Sequence, residues 1–598
     1  MKKINLKPPH FMLDNVKKPV LFRDQFPYHK VPRIICDEQI VPKHIPGEIW
    51  ITDTTFRDGQ QARPPYTVTQ IVAIYDILHR LGGALGVIRQ SEFFLYSKKD
   101  KEAVNKCLEC GYRYPEVTGW IRAVKEDFKL VKGMGLKETG VLTSASDYHI
   151  FLKLKKNRQK AMDAYLGIVK EALSNNIRVR CHFEDITRAD FYGFILPFAQ
   201  ELMKLSAQSG LKNAIKIRLC DTMGYGLPFA YAVLPRSIPK LVYGLIHEGG
   251  VAPECLEWHG HNDFHRAEVN AVAAWLYGCC AANGTLLGFG ERTGNPPIEA
   301  LLIDYMGIKG KTNGVHTRVI KEMSDYFKNE VDTAIPDNYP FVGKECNTTR
   351  AGIHADGVIK NQEIYNIFDT RKILGKPLGI TITDKSGAAG IAYWINQRLG
   401  LSVKKAIDKR HPGVLSIYNW VMKQYEGGRT TSISSEEMGV QARKFMPEVL
   451  ECEFDRLKQK ALEMAEEILK TTSKQPEIMS MDRMQQEKVL RKALRENPFI
   501  QRLYITNING IQFTGNIINP DIRKIYKGHG PGDNKMDWPW VSEVIKNRKL
   551  YISDFYKSVY TDLLCLGVSS PIFGKKGIKF LGVLVADIKF EDIARTEE

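Results

Sequence analysis

Residues 255–262 read CLEWHGHN, an apolar run that ends in two histidines, His259 and His261. In a strand, side chains two apart point to the same face, so both imidazoles project into one space. Two readings follow: a buried, hydrogen-bonded pair, or two ligands of a metal. The neighbouring runs decide between them. EIWIT from Glu48, LGVIRQSEFF from Leu85, VTGWIRA from Val117, TGVLTSA from Thr139, IRVRCHF from Ile177, AIKIRLCDT from Ala214 and GTLLGFGER from Gly284 are also short and β-rich. Helical patterns separate most of them. Eight such strands over a span near the ~250 residues typical of the architecture predict a (β/α)8 barrel.

In that fold chemistry sits at the C-terminal strand ends, and the polar residues fall there. Arg57 and Asp58 follow strand one, Glu92 ends two, Arg122 three and Glu184 five. Asp221 and Thr222 end six, His259 and His261 seven, and GERTGNPPIE follows eight. Two histidines and the Asp58 carboxylate suit a divalent ion such as Mg, Mn, Zn or Co, and Asn295 offers an amide oxygen. A structural role for so many polar groups would require each to be satisfied by a neighbour, so the metal reading is preferred.

The whole chain sets the bounds. Its 598 residues predict two or three domains, and 43% hydrophobic with 26% charged residues describes a globular protein. No apolar run reaches the roughly 18 residues of a membrane span, and MKKINLKPPHFMLDNVKKPV has no apolar signal core, so the cytoplasm is expected. Eleven cysteines, several inside apolar segments, fit a reducing compartment, and Cys107 with Cys110 lacks the second pair a zinc site needs. The net charge of +17 is scattered, as in KLKKNRQK, without interleaved aromatics. A basic surface that attracts acidic metabolites or a phosphate-bearing cofactor is expected, not a nucleic-acid site.

Four ordered motifs, DTTFRDGQQ from Asp53, HFEDITRAD from His182, HGHND from His259 and GERTGNPPIE from Gly290, resemble the DRE-TIM metallolyase family. That family includes isopropylmalate, homocitrate and Re-type citrate synthases and hydroxymethylglutaryl-CoA lyase. AGIHADGVIKNQEIY from Ala351 and DKSGAAGI from Asp384 resemble the accessory subdomains of the synthases, which the lyase lacks. The resemblance implies Claisen condensation of an acyl-CoA with a 2-oxo acid, followed by thioester hydrolysis. It implies Asp58, His259 and His261 as metal ligands, Arg57 as fixed positive charge, and His354 as base with Glu184 as helper or rival. Gln61, Glu92 and Thr222 then position the oxo acid, and His354, often donated across a subunit interface in the family, implies a homodimer. Arg-Asp stands where homocitrate synthases usually carry Arg-Glu, and His182 where small residues are common.

Strand alternation puts Arg180, His182 and Glu184 on one face. Arg180 resembles an arginine at a similar offset in homocitrate synthases, which implies a grip for the distal carboxylate of a dicarboxylic oxo acid; the other reading is a salt bridge inside the barrel. The resemblance lies closest to the Re-citrate branch, so oxaloacetate and acetyl-CoA are the expected substrates. Homocitrate or isopropylmalate synthesis is the alternative, and a non-catalytic metabolite sensor is the alternative of another class.

The expected organisation is an N-terminal extension over 1–47, the barrel over 48–310, accessory subdomains over 311–425, a linker and amphipathic helix over 426–480, and a last domain over 481–598. EGGRTTSISSEE from Glu426 reads as polar linker, and PEVLECEFDRLKQKALEMAEEILK from Pro447 as a long amphipathic helix. NPFIQRLYITNINGIQFTGN, MDWPWVSEVIKNRKLYISDFYKS and VSSPIFGKKGIKFLGVLVADI resemble a Cache (PAS-like) α+β sensor domain. That likeness implies a pocket for a small carboxylate or amine effector, with Trp540, Tyr551, Asp554, Tyr556 and Asp587 as lining candidates or as plain core.

Overall fold

The structure is a computed structural model and describes residues 9–30, 33–399, 401, 406–447, 463, 466–497, 499–520, 530–553, 556–557, 564–574 and 579–589. The chain forms two compact units, Met1–Cys346 with Lys372–Lys376, and Asn347–Arg371 with Pro377–Glu598.

The first unit is a closed barrel of eight parallel strands in chain order. They are β1 (Trp50–Asp53), β2 (Ile88–Phe94), β3 (Glu116–Ile121), β4 (Glu138–Ser144), β5 (Arg178–Glu184), β6 (Ile215–Asp221), β7 (Leu256–Gly260) and β8 (Ala281–Gly284). Helices between them start on side chains that take up free backbone N–H groups. Thr67 with Gln70 and Ser97 with Asp100 form capping boxes, and Asn157 and Ser237 cap two more helices. The strands alternate as expected. On β5 Phe183 turns outward and stacks on Phe198 of the helix Leu196–Gln208 at 5.0 Å, while Arg180 and His182 turn inward.

Seven strands match their sequence runs to within a few residues; the eighth does not. GTLLGFGER predicts strand eight, yet pairing stops at Gly284, and Leu286–Gly288 forms a tight turn with Leu287 at φ 57°. Leu286 and Leu287 are buried in that turn. Burial makes the run apolar, and periodicity alone does not separate buried turn from strand.

The lumen of the barrel is ionic where branched apolar layers are usual. Arg180, Arg218, Glu92, Glu138 and Glu257 are all buried there. Before the barrel, the chain lies along its flank: Asp14 N donates to Gly193 O at 2.9 Å, Val20 N to Asp147 Oδ2 at 2.7 Å, and Tyr148 Oη to Leu21 O at 2.8 Å.

The second unit begins with the parallel pair β9 (Thr348–Thr349) and β10 (Gly379–Ile380). The helices Gly352–Lys360, Gly387–Arg398, Pro412–Glu426 and Ser435–Phe445 share a core with Ala355, Ile391, Val414, Ile417 and Met438. The stretch from Glu426, read as linker, belongs to this core. Ile433 is buried and bridges Ile382, Ser434 caps the next helix, and Arg429 grips both oxygens of Glu437 at 2.6 and 2.7 Å. Polar composition there reflects capping. Most of the helix expected from Pro447 lies outside the described residues, of which 466–473 are helical.

The unit ends in an antiparallel sheet of β11 (Ile500–Asn507), β12 (Ile517–Ile518), β13 (Tyr551–Ile552), β14 (Tyr556–Lys557), β15 (Leu564–Phe573) and β16 (Phe580–Lys589). Its order is β12-β11-β16-β15-β13, with β14 also on β15. Leu503, Ile505, Leu584 and Ala586 pack with Leu490 and Leu494 of the helix Arg483–Glu496 in one core. Tyr504, Val583 and Val585 pack with the helix Pro539–Asn547 in another.

Candidate active site

Asp58, His259 and His261 meet at the C-terminal mouth of the barrel, each offering a ligand atom, all within 4.8 Å of one another and all buried. Asp58 opens a one-turn helix after β1, and the two histidines leave the end of β7. Burial alone would neutralise Asp58, but Arg57, His259 and His261 hold its carboxyl down at about 2. His259 is set by a chain of amide contacts. Asn283 Nδ2 donates to Thr52 Oγ1 at 2.9 Å and to Thr52 O at 3.2 Å, so its Oδ1, 2.8 Å from His259 Nδ1, is the acceptor. The proton therefore sits on Nδ1, and Nε2 is left as a lone pair.

Asn295 donates from Nδ2 to Asp58 Oδ2 at 2.5 Å. Its Oδ1 and Nδ1 of His261 are buried with no hydrogen-bond partner. An orphaned amide oxygen and an unpartnered imidazole nitrogen, beside a carboxylate and the His259 lone pair, form the set of ligand atoms that a cation requires.

Arg57 joins this group to the ionic lumen: it donates from NH1 to Asp58 at 3.1 Å and from Nε to Glu92 Oε2 at 2.8 Å. Glu92 also receives Arg218 NH1 at 3.0 Å and stands 3.3 Å from Arg180 and His182. Burial opposes ionisation of Glu92, but Arg218 and Arg57 keep it well below the usual carboxylate range. His182, desolvated beside Arg218, is pushed down to about 3 and is neutral. Gly140 makes the room: a Cβ there would fall 2.6 Å from His182 Nε2 and 2.9 Å from Glu92 Oε1.

Arg180 takes the second of its two expected arrangements. Nε lies 2.8 Å from Glu257, NH2 2.6 Å from Glu138 and NH1 3.3 Å from Glu92, with the side chain 1% exposed. Two residues below His182 on β5, it is at lumen depth and committed to carboxylates, so the grip on a substrate carboxylate is corrected to an internal salt bridge.

Glu184 sits at the rim. Its Oε2 is 3.0 Å from His149 Nδ1 and accepts from Ser144, and Lys153 Nζ is 3.2 Å away. Burial opposes ionisation, and His149, Ser144 and Lys153 overcome it and hold the carboxyl at about 2. His149 and Lys153 escaped the sequence reading because they lie on the π-helical turn Tyr148–Lys153, whose register brings them to Glu184. Thr222 Oγ1 accepts from Asp185 N at 2.8 Å, Gln61 is exposed, and Arg122 pairs with Asp127 at 2.9 Å. His354 belongs to the second unit, on Gly352–Lys360, with its ring 4.3 Å from that of Tyr365.

In the C-terminal sheet, Trp540 is buried with its ring 4.7 Å from that of Trp538, and Tyr551 packs on the same cluster. Asp587 pairs with Arg502, whose guanidinium lies 4.7 Å from the Tyr504 ring centre. Asp554 and the side chain of Tyr556 lie outside the described residues.

Residues 48–326 match the HMGL-like family, and residues 486–595 match the first PDC sensor domain of methyl-accepting chemotaxis protein-like proteins. The chain is 54% identical over 588 residues to the citrate (Re)-synthase of Syntrophus aciditrophicus (strain SB), covering 98% of this chain and 93% of that one. It is 51% identical over 441 residues to the citrate (Re)-synthase of Clostridium kluyveri, covering 74% and 97%. A 2-isopropylmalate synthase of Caldanaerobacter subterraneus is more distant, 30% identical over 57% of this chain and 84% of its own length.

Proposed function

The chain belongs to the citrate (Re)-synthase family, and from that premise we propose that it condenses acetyl-CoA with oxaloacetate and hydrolyses the thioester to give citrate and free CoA. It is an acyltransferase in which the acyl group becomes alkyl on transfer. The observation that carries this reading is the convergence of Asp58, His259 and His261 at the mouth of a barrel from this family.

Asp58, His259, His261 and the Asn295 amide oxygen would hold a divalent cation, Mn, Mg, Co or Zn. When bound, such a cation supplies Lewis acidity to the ketone of the oxo acid and stabilises the alkoxide by several kcal/mol. Arg57, fixed by Glu92, adds positive charge on the same side without reorganising during the reaction. His354 takes the base role that the resemblance implies and removes a proton from the acetyl methyl. Glu184, held ionised by His149 and Lys153, is a hydrogen-bond acceptor and a weak base in this arrangement. Gln61, His182 and Thr222 position the oxo acid. The protein acts as a cytoplasmic homodimer, and no described helix is long and apolar enough to cross a membrane.

The sensor-like domain provides allosteric control by a small carboxylate or amine. Deleting residues 481–598 is expected to leave turnover intact and abolish its response to effectors. Inhibition that survives the deletion would count against this role.

The test of the main reading is thiol release from acetyl-CoA with Mn or Mg, using oxaloacetate, 2-oxoglutarate and 2-oxoisovalerate side by side, with a chelator control. Preference for oxaloacetate, lost with chelator, supports it. Preference for 2-oxoisovalerate or 2-oxoglutarate replaces the substrate, and no turnover with bound metal removes the reading.

A further inference from the structure

The segment KLKKNRQK, Lys153 to Lys160, puts five cations in eight positions. It follows the C-terminal end of β4 through the turn Tyr148–Lys153, and its first residue, Lys153, reaches Glu184 on the mouth. We propose that this loop is the docking site for the phosphates of the acyl-CoA, an inference that rests on the Claisen reading.

Two of the five cations build the loop. Arg158 is fully buried and is held by Asp147 at 2.9 and 2.8 Å, by Asp190 at 3.0 Å and by Asp14 O at 2.9 Å. Lys153 is tied down onto Glu184. Between them the backbone is fixed by Leu154 N to His149 O at 2.8 Å and Lys156 N to Ile150 O at 3.0 Å, and Lys155 takes a left-handed φ of 54°. Lys155, Lys156 and Lys160 are exposed, with no acidic partner among the described residues. Elsewhere on the rim, cations are neutralised in place: Arg188 by Asp185 and Arg292 by Asp263. The helix end itself contributes little, because Asn15 and Asn157 already occupy the N–H groups of Gln159 and Lys160.

The substrate has the matching shape. A CoA thioester carries its reacting carbon at one end of a pantetheine arm and a diphosphate and a 3′-phosphate at the other. With the thioester over Asp58 and the histidines, the anionic end must lie at the rim. Lysine ammoniums are compact charges suited to phosphate when no bidentate geometry is imposed.

The test replaces Lys155 and Lys156 by Gln together, with Lys212→Gln as a charge control at the opposite end of the barrel, before β6. The double variant should raise KM for acetyl-CoA about tenfold, the scale of two partly exposed ion pairs. It should leave kcat and KM for the oxo acid unchanged and abolish the preference for acetyl-CoA over acetyl-dephospho-CoA. Calorimetry with 3′,5′-ADP should show the same loss, and Lys212→Gln should change neither. An unchanged KM for acetyl-CoA in the double variant overturns the docking site while ordinary turnover keeps the Claisen reading. Lysine-dependent binding of 3′,5′-ADP by a protein that turns over no oxo acid does the reverse.

Discussion

Replacing Asn283 by Ala tests how the metal site is held without touching a ligand. Asn283 accepts from His259 Nδ1 at 2.8 Å and is itself aimed by Thr52 at 2.9 Å. Alanine removes the acceptor and leaves a buried imidazole N–H unpaired, a cost of about 1–3 kcal/mol that falls on the conformation the cation needs. Each 1.4 kcal/mol is a factor of ten, so the cation affinity should fall about 10–100-fold, the usual scale for a group that orients a ligating histidine. Fold and oligomer should persist, because only one amide is lost from an otherwise intact strand. The assay is competition for Mn with a graded chelator, read alongside thiol release at saturating Mn, where most of kcat should return. Asn283→Asp keeps the acceptor and should retain affinity. Unaltered Mn binding in Asn283→Ala would refute the claim that this amide fixes His259.

Gly140→Ala should cost most of kcat with a small change in melting temperature, since its methyl would displace His182 and Glu92 and with them the Nε of Arg57; normal kinetics would show that the network yields freely. Arg180→Met, which removes one of the cations shared by Glu138 and Glu257 and leaves them Lys216, Arg178 and Arg218, should lower stability by about 1.5–3 kcal/mol in denaturant titration while the surviving enzyme keeps its order of preference among oxo acids; an altered order would return Arg180 to the substrate. Burial and the neighbouring Glu268 push Asp304 up to about 8. The folded chain therefore binds this proton more tightly than the unfolded one, whose carboxyl titrates near 3.9, so the contribution of Asp304 to stability is fully present below about pH 4 and is lost as pH rises through about 8. Glu268→Gln should flatten that part of the melting-temperature profile, and an unchanged slope would exclude the pair as its source.

Much of the barrel was legible because period-two alternation and the polar strand ends are local properties: β5 shows both in RVRCHFE, and β7 ends at Gly260, between its two histidines. The eighth strand was misread for a local reason too, since a buried turn and a strand share the same apolar composition at Leu286 and Leu287. The stretch from Glu426 was misread because caps and linkers draw on the same polar residues.

The amino-acid order by itself determined the strand count, the ligand types Asp58, His259 and His261, and the family, all of which follow from residue identity and spacing. Only the tertiary structure decided which acid each base would meet. Arg180 reads as equally suited to a substrate or to Glu138 and Glu257, and Lys153 as a surface lysine until the turn after β4 swings it onto Glu184. The physical reason is that strand alternation fixes only the side of the barrel a residue faces. Its depth along the lumen and its partners come from other strands, which are distant in the chain and joined only when the barrel closes.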